Sequence, residues 1–582
     1  MVVTVRHEPL LSAVADLRVL ADTVEADAAA VAMLVPAEVG VSIQVGEPVA
    51  WMREQAVELT NLATLALLLD VDADGYATVP LGDLAPTEAL ERYLSDAYGP
   101  AYLDAFEDLE PADVAALVLT FASVGRDLPP GSGRWTPDQL RSFLVDHPGV
   151  ADELSTTPPR DGATGPEGVL AQLYGARDEP GPYARMDEAR ALFESLSPDD
   201  AQILAMMFPR QVGNMDGVPF EYRADANQIH VVAELAAARE HLESMEAQHE
   251  GNQHDWDLFG RNNDDLEQPI ADKEELIELY ESILADDRQI ILFNPVGNHD
   301  GRIAELHGDI DGDTRNVGVL VPGTGNRLNN FDGTAARSRT FVNATEDGSL
   351  AMISWIGGDL PDDVDAASPE KATTLAPLLE RFSYAVDQEI EHSAAAGNDV
   401  QTTYAGHSYG GAVVGTAEAY GLRADRVLHI ESAGTGYGID SPGDLPASQD
   451  DVRRFSMTAP GDFIAYAQGN GALGLGHGAD PDEFDGTTRL HTGDYPDLGD
   501  DDRSNRPIHG DGSHSGVFVY ESDAWNAMYG VFTGGLVETY RTPIVELDGP
   551  GLLGDLEVVG WEDDGSTVSV TGVGKRWSQG TR

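Results

Sequence analysis

The chain has 582 residues, 35 basic against 101 acidic side chains, a formal net charge of −66 and no cysteine. That length implies roughly two to four domains. The charge excludes nucleic acid and anionic lipid as partners, and the lack of cysteine excludes disulfides, thiol nucleophiles and thiolate metal sites.

Residues 1–270 read as a mainly α-helical N-terminal region. Apolar residues recur at helical spacing in Leu10–Ala30, Trp51–Asp70, Asn227–Gln248 and Lys273–Asp287, the last running past the boundary. Pro111 and Thr136-Pro137-Asp138 look like helix starts with proline in the first turn. Thr156–Glu167 and Gly251–Pro269 read as loops or linkers. Met1–Leu20 is interrupted by Glu8 and Asp16, a poor secretory signal. No apolar run approaches the ~20 residues of a membrane span. The expectation is a cytoplasmic protein with no integral membrane association, signal-less export being the alternative. Only Lys273, Lys371 and Lys575 are lysines. Acid excess with so little lysine fits adaptation to high salt, where screening relieves self-repulsion, or a biased genome composition; activity measured against salt separates the two.

The texture changes in 271–541, where β-type runs alternate with helical ones. Strands are predicted at Gln289–Phe293, Arg302–His307, Val317–Val321, Leu350–Trp355, Val400–Ala405, Arg426–Ile430, Arg454–Met457 and Thr487–His491. Helices are predicted at Ala372–Ala396, Ala412–Tyr420 and Asp523–Phe532. This pattern predicts a mixed, mostly parallel sheet with helices on both faces. In 542–582, Leu556–Trp561 and Thr567–Val573 flank Asp563-Asp564-Gly565 and suggest a C-terminal β-hairpin or tail.

The chemistry concentrates at Gly406-His407-Ser408-Tyr409-Gly410, between a predicted strand and a predicted helix. A strand that turns into a helix within one residue holds its apical serine in a strained backbone, and the flanking glycines remove the clash. Ser408 is the candidate nucleophile. In chain order the acid and then the histidine base should follow. Asp462, beyond a central strand, is the first choice of acid and Glu431 its rival. For the base, His514 and His509 are the leading candidates, with His477 and His491 weaker; the preference for His514 rests mostly on the resemblance given below. Two backbone donors are needed for an oxyanion: Tyr409, after the nucleophile, and Thr324, with Gly323 next, in the Gly-rich turn after the third strand. Asp70–Gly75 resembles the start of a calcium loop, but Leu81 stands where a bidentate Glu is required. Asp309, Asp311 and Asp313 read as a turn. No metal, nucleotide or other cofactor is expected.

These residues resemble a bacterial, largely actinobacterial, family of α/β hydrolases grouped as a domain of unknown function. The matching pieces are Val319–Gly325, Ser354–Gly357 with Asp359 and Pro361, Ala405–Gly411, Ala433–Gly436, His514–Gly516, and upstream Val212–Pro219 with Arg223 and Asn227. The resemblance covers about residues 200–530 and implies an α/β-hydrolase fold and a Ser408–Asp462–His514 triad. The acidic loops at 480–485 and 494–502 depart from it and loosen the alignment between Asp462 and His514. The function expected is a serine hydrolase acting on a small-molecule or lipid-like ester. The alternatives are a catalytically silent binding or scaffolding protein and an acyltransferase on the same fold. Protein partners of the helical region are not legible.

Overall fold

In the computed structural model, the described residues are chiefly 46–68, 77–98, 135–175, 181–254, 266–295, 301–466, 476–548 and 555–570, less a few single positions, with isolated residues elsewhere in the first 120. The predicted helix Leu10–Ala30, the helix start at Pro111, the calcium-like Asp70–Gly75 and the end of Thr567–Val573 fall wholly or mostly outside them. By compactness the chain forms two units, Met1–Arg177 with Leu192–Gln211, and Asp178–Ala191 with Val212–Arg582. The boundary expected at residue 270 therefore moves upstream: 212–254 belong with the sheet, because the side chains of Asn214, Asn227 and Gln228 are bonded to its edge; most of the linker expected over 251–269 falls outside the described residues.

The first unit is helical, with a small antiparallel pair, Val2–Val5 on Ala77–Pro80. The Thr136-Pro137-Asp138 start is a capping box. Gln139 N–H donates to the Thr136 hydroxyl, Thr136 N–H donates to Gln139 Oε1 at 3.0 Å, and Pro137 opens the helix Pro137–Asp146. The loop expected over 156–167 is shorter, since a helix runs Gly165–Gly175. Glu167 ties its first turn to Arg160 at 2.8 Å.

The second unit is built on eight strands: β1 Gln289–Asn294, β2 Arg302–His307, β3 Asn316–Val321, β4 Leu350–Ile356, β5 Gln401–His407, β6 Arg426–Ile430, β7 Arg453–Met457 and β8 Thr487–Arg489. Their spatial order is 1-2-4-3-5-6-7-8, with β2 antiparallel to both neighbours and every other pair parallel. This is the α/β-hydrolase fold. Its helices are α1 Phe220–His254, α2 Glu267–Ala285, α3 Asp332–Asn343, α4 Glu370–His392, α5 Tyr409–Ala419, α6 Ser513–Gly516 and α7 Asp523–Thr533.

The central strands are buried on both faces, which explains their largely apolar sequences. Val317, Val319 and Val321 point to one face, with Leu375, Leu379 and Phe382 of α4 and Val413 of α5. Leu320, Met352 and Phe455 point to the other, with Phe341 of α3 and Trp525 and Phe532 of α7. A side chain at Gly318 would strike Phe532 at 2.8 Å, so glycine lets α7 approach β3.

The upstream segment Val212–Pro219 has a structural task. The Asn214 amide donates to Phe293 O at 2.6 Å and accepts from Phe293 N–H at 3.3 Å, completing an edge strand that lacks a neighbour. Asn227 donates to Gly213 O and Ile290 O, and Gln228 to Arg288 O. Helix α1 starts at Phe220 rather than Asn227, because the Pro219 carbonyl already accepts the Arg223 N–H.

Helix α3 has no counterpart among the predicted elements. Its polar, Gly-containing sequence has weak propensity, and packing decides it: Thr334, Ala335, Ser338 and Phe341 form one buried face, with Ser354 of β4 donating to Ser338 at 2.7 Å. The C-terminal hairpin is also corrected. Asp555–Trp561 pairs with Pro543–Asp548, and Thr567–Ser569 pairs with Leu536–Glu538. Asp564 in the intervening turn is claimed by the N–H and hydroxyl of Thr542, so the two strands find different partners.

Candidate active site

The registers bring four strand ends level. Val321 of β3 lies opposite Gly406 of β5, His407 opposite Ile430 of β6, and Ile430 opposite Met457 of β7. The residues that follow, from Pro322, Ser408, Glu431 and Thr458, therefore converge at the carboxyl edge of the sheet, where ligands bind in open α/β folds.

Ser408 sits at the bend from β5 into α5 with φ 54° and ψ −122°. A non-glycine residue there stores about 1–3 kcal/mol of strain and persists only when its surroundings hold it. They do: Ser408 N–H donates to Ile430 O at 2.9 Å, and the Ser408 carbonyl accepts from Gly411 and Ala433. A Cβ on Gly406 would collide with Gly410 and Gly411, and one on Gly410 with Val321 and Pro322. The Ser408 hydroxyl is hydrogen-bonded to no other group among the described residues.

The loop after β3 runs against this serine. A Cβ on Gly323 would lie 2.6 Å from Ser408 Cβ and 3.2 Å from its Oγ. Asn326 steadies the loop by donating to Gly323 O at 2.8 Å and to Thr324 O at 3.3 Å. Tyr409 opens α5, so its N–H has no intrahelical acceptor. The Tyr409 side chain is buried, donates to Ser368 O at 2.7 Å and accepts from Ala372 N–H; burial pushes its phenol up to about 12, which keeps it neutral.

His514 lies in the helical turn α6. Its Nδ1–H donates to Asp462, at 3.1 Å to Oδ1 and 3.2 Å to Oδ2. Asp462 is fully buried and also accepts from Ile464 N–H at 2.8 Å, while the Ser513 hydroxyl lies 3.1 Å from it and 2.6 Å from its nearer acceptor, Gly510 O. His407, beside the serine, donates from Nε2 to the His514 carbonyl at 2.7 Å, which docks α6 onto the bend. Burial first, then Arg337, holds the His407 imidazole well below its ordinary value, so it stays neutral. Phe463 packs against His514 in a tilted arrangement, ring centroids 4.6 Å apart, while half exposed, an apolar wall beside the imidazole. Sequence reading passed over His407, Ser513 and Phe463; their positions next to Ser408, His514 and Asp462 were the available signal.

The other candidates separate clearly. His509 is hydrogen-bonded to none of these side chains among the described residues. His477 is committed to Ala366 O at 2.8 Å and packs edge-on to Tyr409. His491 packs edge-on to Trp561. Glu431 has φ 43° and is fully buried, with Oε1 accepting from Ala459 N–H at 2.9 Å. Glu431, Asp462 and His514 are the one group among the described residues whose donor atoms, within 4.8 Å of one another, are close enough to suggest a metal set. The Asp462–His514 hydrogen bond and the Ile464 N–H already engage the Asp462 and His514 atoms. Asp309–Asp313 is a turn, with Asp311 N–H donating to Thr314 and Asp313 N–H to Asp311. No described helix is long and apolar enough to cross a membrane.

Residues 297–470 match the model of a family described as alpha/beta hydrolase. Two uncharacterized proteins from different strains of Mycobacterium tuberculosis are each 26% identical over 275 residues. The match takes in 44% of this chain and 40% of each relative, so it spans well under half of their length. Among solved structures, this chain is similar to a dienelactone hydrolase from Anabaena variabilis, with 14% identity, TM-score 0.22, 39% of this chain and 88% of that one. It is also similar to a dienelactone hydrolase-like promiscuous phosphotriesterase from metagenomic libraries, with 14% identity, TM-score 0.23, 41% of this chain and 95% of that one.

Proposed function

We propose that the chain is a serine hydrolase that cleaves an ester, or a related acyl bond, through an acyl-enzyme. The observation that carries this reading is the hydrogen bond from His514 to buried Asp462, on a turn that His407 docks beside the strained Ser408. A serine hydroxyl needs a base, and the base needs an acid to hold its tautomer and steady its charged form. In this reading His514 Nε2 takes the Ser408 proton as Oγ bonds to the substrate carbonyl. The oxyanion is bound by the N–H groups of Tyr409 and Thr324, with Gly323 leaving room beside them. The leaving alcohol departs with the proton from His514, and water then releases the acyl group by the same steps.

The substrate is a neutral or weakly polar small-molecule or lipid-like ester. Phe463 supplies an apolar surface beside His514, and a chain of net charge −66 repels anions. Grouping with the largely actinobacterial family of unknown function, and a cytoplasmic location, belong to the same proposal.

The test uses short p-nitrophenyl esters and a fluorophosphonate probe on the full chain and on Ser408→Ala. The parent should hydrolyse the ester and be labelled; the variant should do neither. A variant that hydrolyses as fast as the parent rules out Ser408 as nucleophile. A parent inert to both reagents favours a binding or scaffolding protein, and ester product formed with an added alcohol favours an acyltransferase.

A further inference from the structure

The triad of the proposed hydrolase leaves one carboxylate unexplained. Glu431 follows β6 directly, its N–H donating to Met457 O at 2.9 Å, one strand from Ser408. It is fully buried on a positive-φ backbone that only glycine adopts freely. Its Oε1 has the Ala459 N–H, but its Oε2 is buried with no hydrogen-bond donor. Asp462 and His514 have side-chain donor atoms within 4.8 Å.

A buried carboxylate oxygen without a donor is unstable as an anion, and two adjacent buried carboxylates cannot both ionise without a cation between them. No Lys or Arg pairs with Glu431 or Asp462 among the described residues. The count of donors assigns the proton. Asp462 receives His514 Nδ1–H and Ile464 N–H, a set suited to an anion. Glu431 receives one, so a proton on its Oε2 fills the vacant hydrogen bond and gives Asp462 a further donor.

We propose that Glu431 is a neutral carboxylic acid whose O–H donates to Asp462, so that the acid of the site is a two-carboxylate unit in which Glu431 is a positioning residue acting through Asp462. This deepens the serine-hydrolase reading and rests on it for its catalytic consequence. Burial first, and then the Asp462 charge, push the Glu431 carboxyl well above its ordinary value, consistent with this assignment. The other groups facing it act the same way or are already engaged. Asp482 adds negative charge but is paired with Arg489 at 3.0 Å, and Tyr495 lies with its ring against Arg503.

The sign of the pH effect follows. Below the ionisation of Glu431 the unit carries one negative charge and Asp462 keeps its extra donor. As pH rises through that ionisation, the donor is lost and a second charge appears beside Asp462, so activity falls on the alkaline side. Glutamine at 431 supplies an N–H that never ionises, with its carbonyl free to accept from Ala459.

The experiment compares the parent, Glu431→Ala and Glu431→Gln in full-length protein by their rates of reaction with the fluorophosphonate probe against pH. It also compares their thermal melts and the infrared difference spectrum of parent minus Glu431→Gln. Glu431→Ala should react roughly ten- to hundredfold more slowly, the scale for losing a partner that orients an active-site ligand. Glu431→Gln should restore the rate and lose the alkaline fall, and the difference spectrum should show the carbonyl stretch of a protonated carboxylic acid. A glutamine variant as slow as the alanine one, or one that keeps the alkaline fall, overturns the proposal. So does an infrared difference showing only a carboxylate. If alanine fails to fold, the glutamine variant and the spectrum decide. If the parent never reacts with the probe, the hydrolase reading fails, and the spectrum still tests the proton on Glu431.

Discussion

Replacing Gly323 by alanine probes the contact between the β3 loop and Ser408, the proposed nucleophile. The added methyl would lie 2.6 Å from Ser408 Cβ and 3.2 Å from both Ser408 Oγ and the His407 carbonyl. Carbon atoms in contact sit at about 3.5–4.0 Å, so the loop or the serine must move by about 1 Å. Neither side yields easily. The bend at 408 is held by three backbone hydrogen bonds, to Ile430, Gly411 and Ala433, and the loop by the Asn326 amide. A misplacement of about 1 Å at reacting groups can lower rates roughly a hundredfold, whereas overpacking costs about 1–3 kcal/mol of stability. The expectation is therefore a loss of about two orders of magnitude in kcat/KM for a p-nitrophenyl ester, mostly in kcat, in a protein that still melts cooperatively. Gly333→Ala is the control, because its Cβ meets nothing within 4 Å and should leave the rate unchanged. If Gly323→Ala kept kcat/KM within about twofold of the parent, the loop would not border the reacting atoms and the assignment of Thr324 as an oxyanion donor would fall.

Further outcomes follow from the same geometry. His514→Gln should lower ester hydrolysis by about the 10⁴-fold typical of losing a triad member, while His509→Gln should change it little; equal losses would mean that His514 is not the base. Phe463→Ala should raise KM for esters with long acyl chains more than for acetate, and a uniform effect across chain lengths would remove the apolar wall from the substrate site. Asn214→Ala strips both groups of Phe293 on the sheet edge and should destabilise by about 2–4 kcal/mol in urea titration; a change under about 0.5 kcal/mol would mean water replaces the amide. Buried His429, whose imidazole is held down to about 3 by burial first and then Arg454, keeps a folded value below the unfolded 6.5. Its stabilising neutrality is complete above about 6.5 and is lost as pH falls, because the unfolded chain takes the proton first. Asp387 pulls the other way, its carboxyl being pushed up to about 7 by burial, so the comparison is with a variant. Relative to His429→Gln, the parent should lose about 2 kcal/mol between pH 7 and pH 5, and parallel curves would refute the buried neutral state.

How much was legible beforehand depended on whether the signal was local. A continuous apolar strand such as Val317–Val321 declares burial on both faces, because a parallel sheet covered by helices gives each strand no polar side. The glycines around Ser408 declare the bend, because only they survive the collisions found there. Thr136-Pro137 and the capping Gln139 wrote a helix start in adjacent residues. What needed the tertiary structure was whatever depends on partners distant in sequence. Helix α3 exists because β4 and α7 bury one side of a weak helix former. The C-terminal strands chose partners outside their own hairpin because Thr542 had taken the turn between them.

The site divides in the same way. Local sequence alone was enough to place the bend at Ser408, since the glycines around it leave room for the turn. It could name Asp462 and Glu431 as rivals and His514 and His509 as alternatives, but not rank them by contact. Only the folded chain brought His514 onto Asp462, left His509 without that bond, and set Glu431 against Asp462 with no Lys or Arg paired to either among the described residues. Those relations depend on strand ends that are level in space while separated by dozens of residues, and a hydrogen bond between side chains so far apart has no trace in the order of the amino acids.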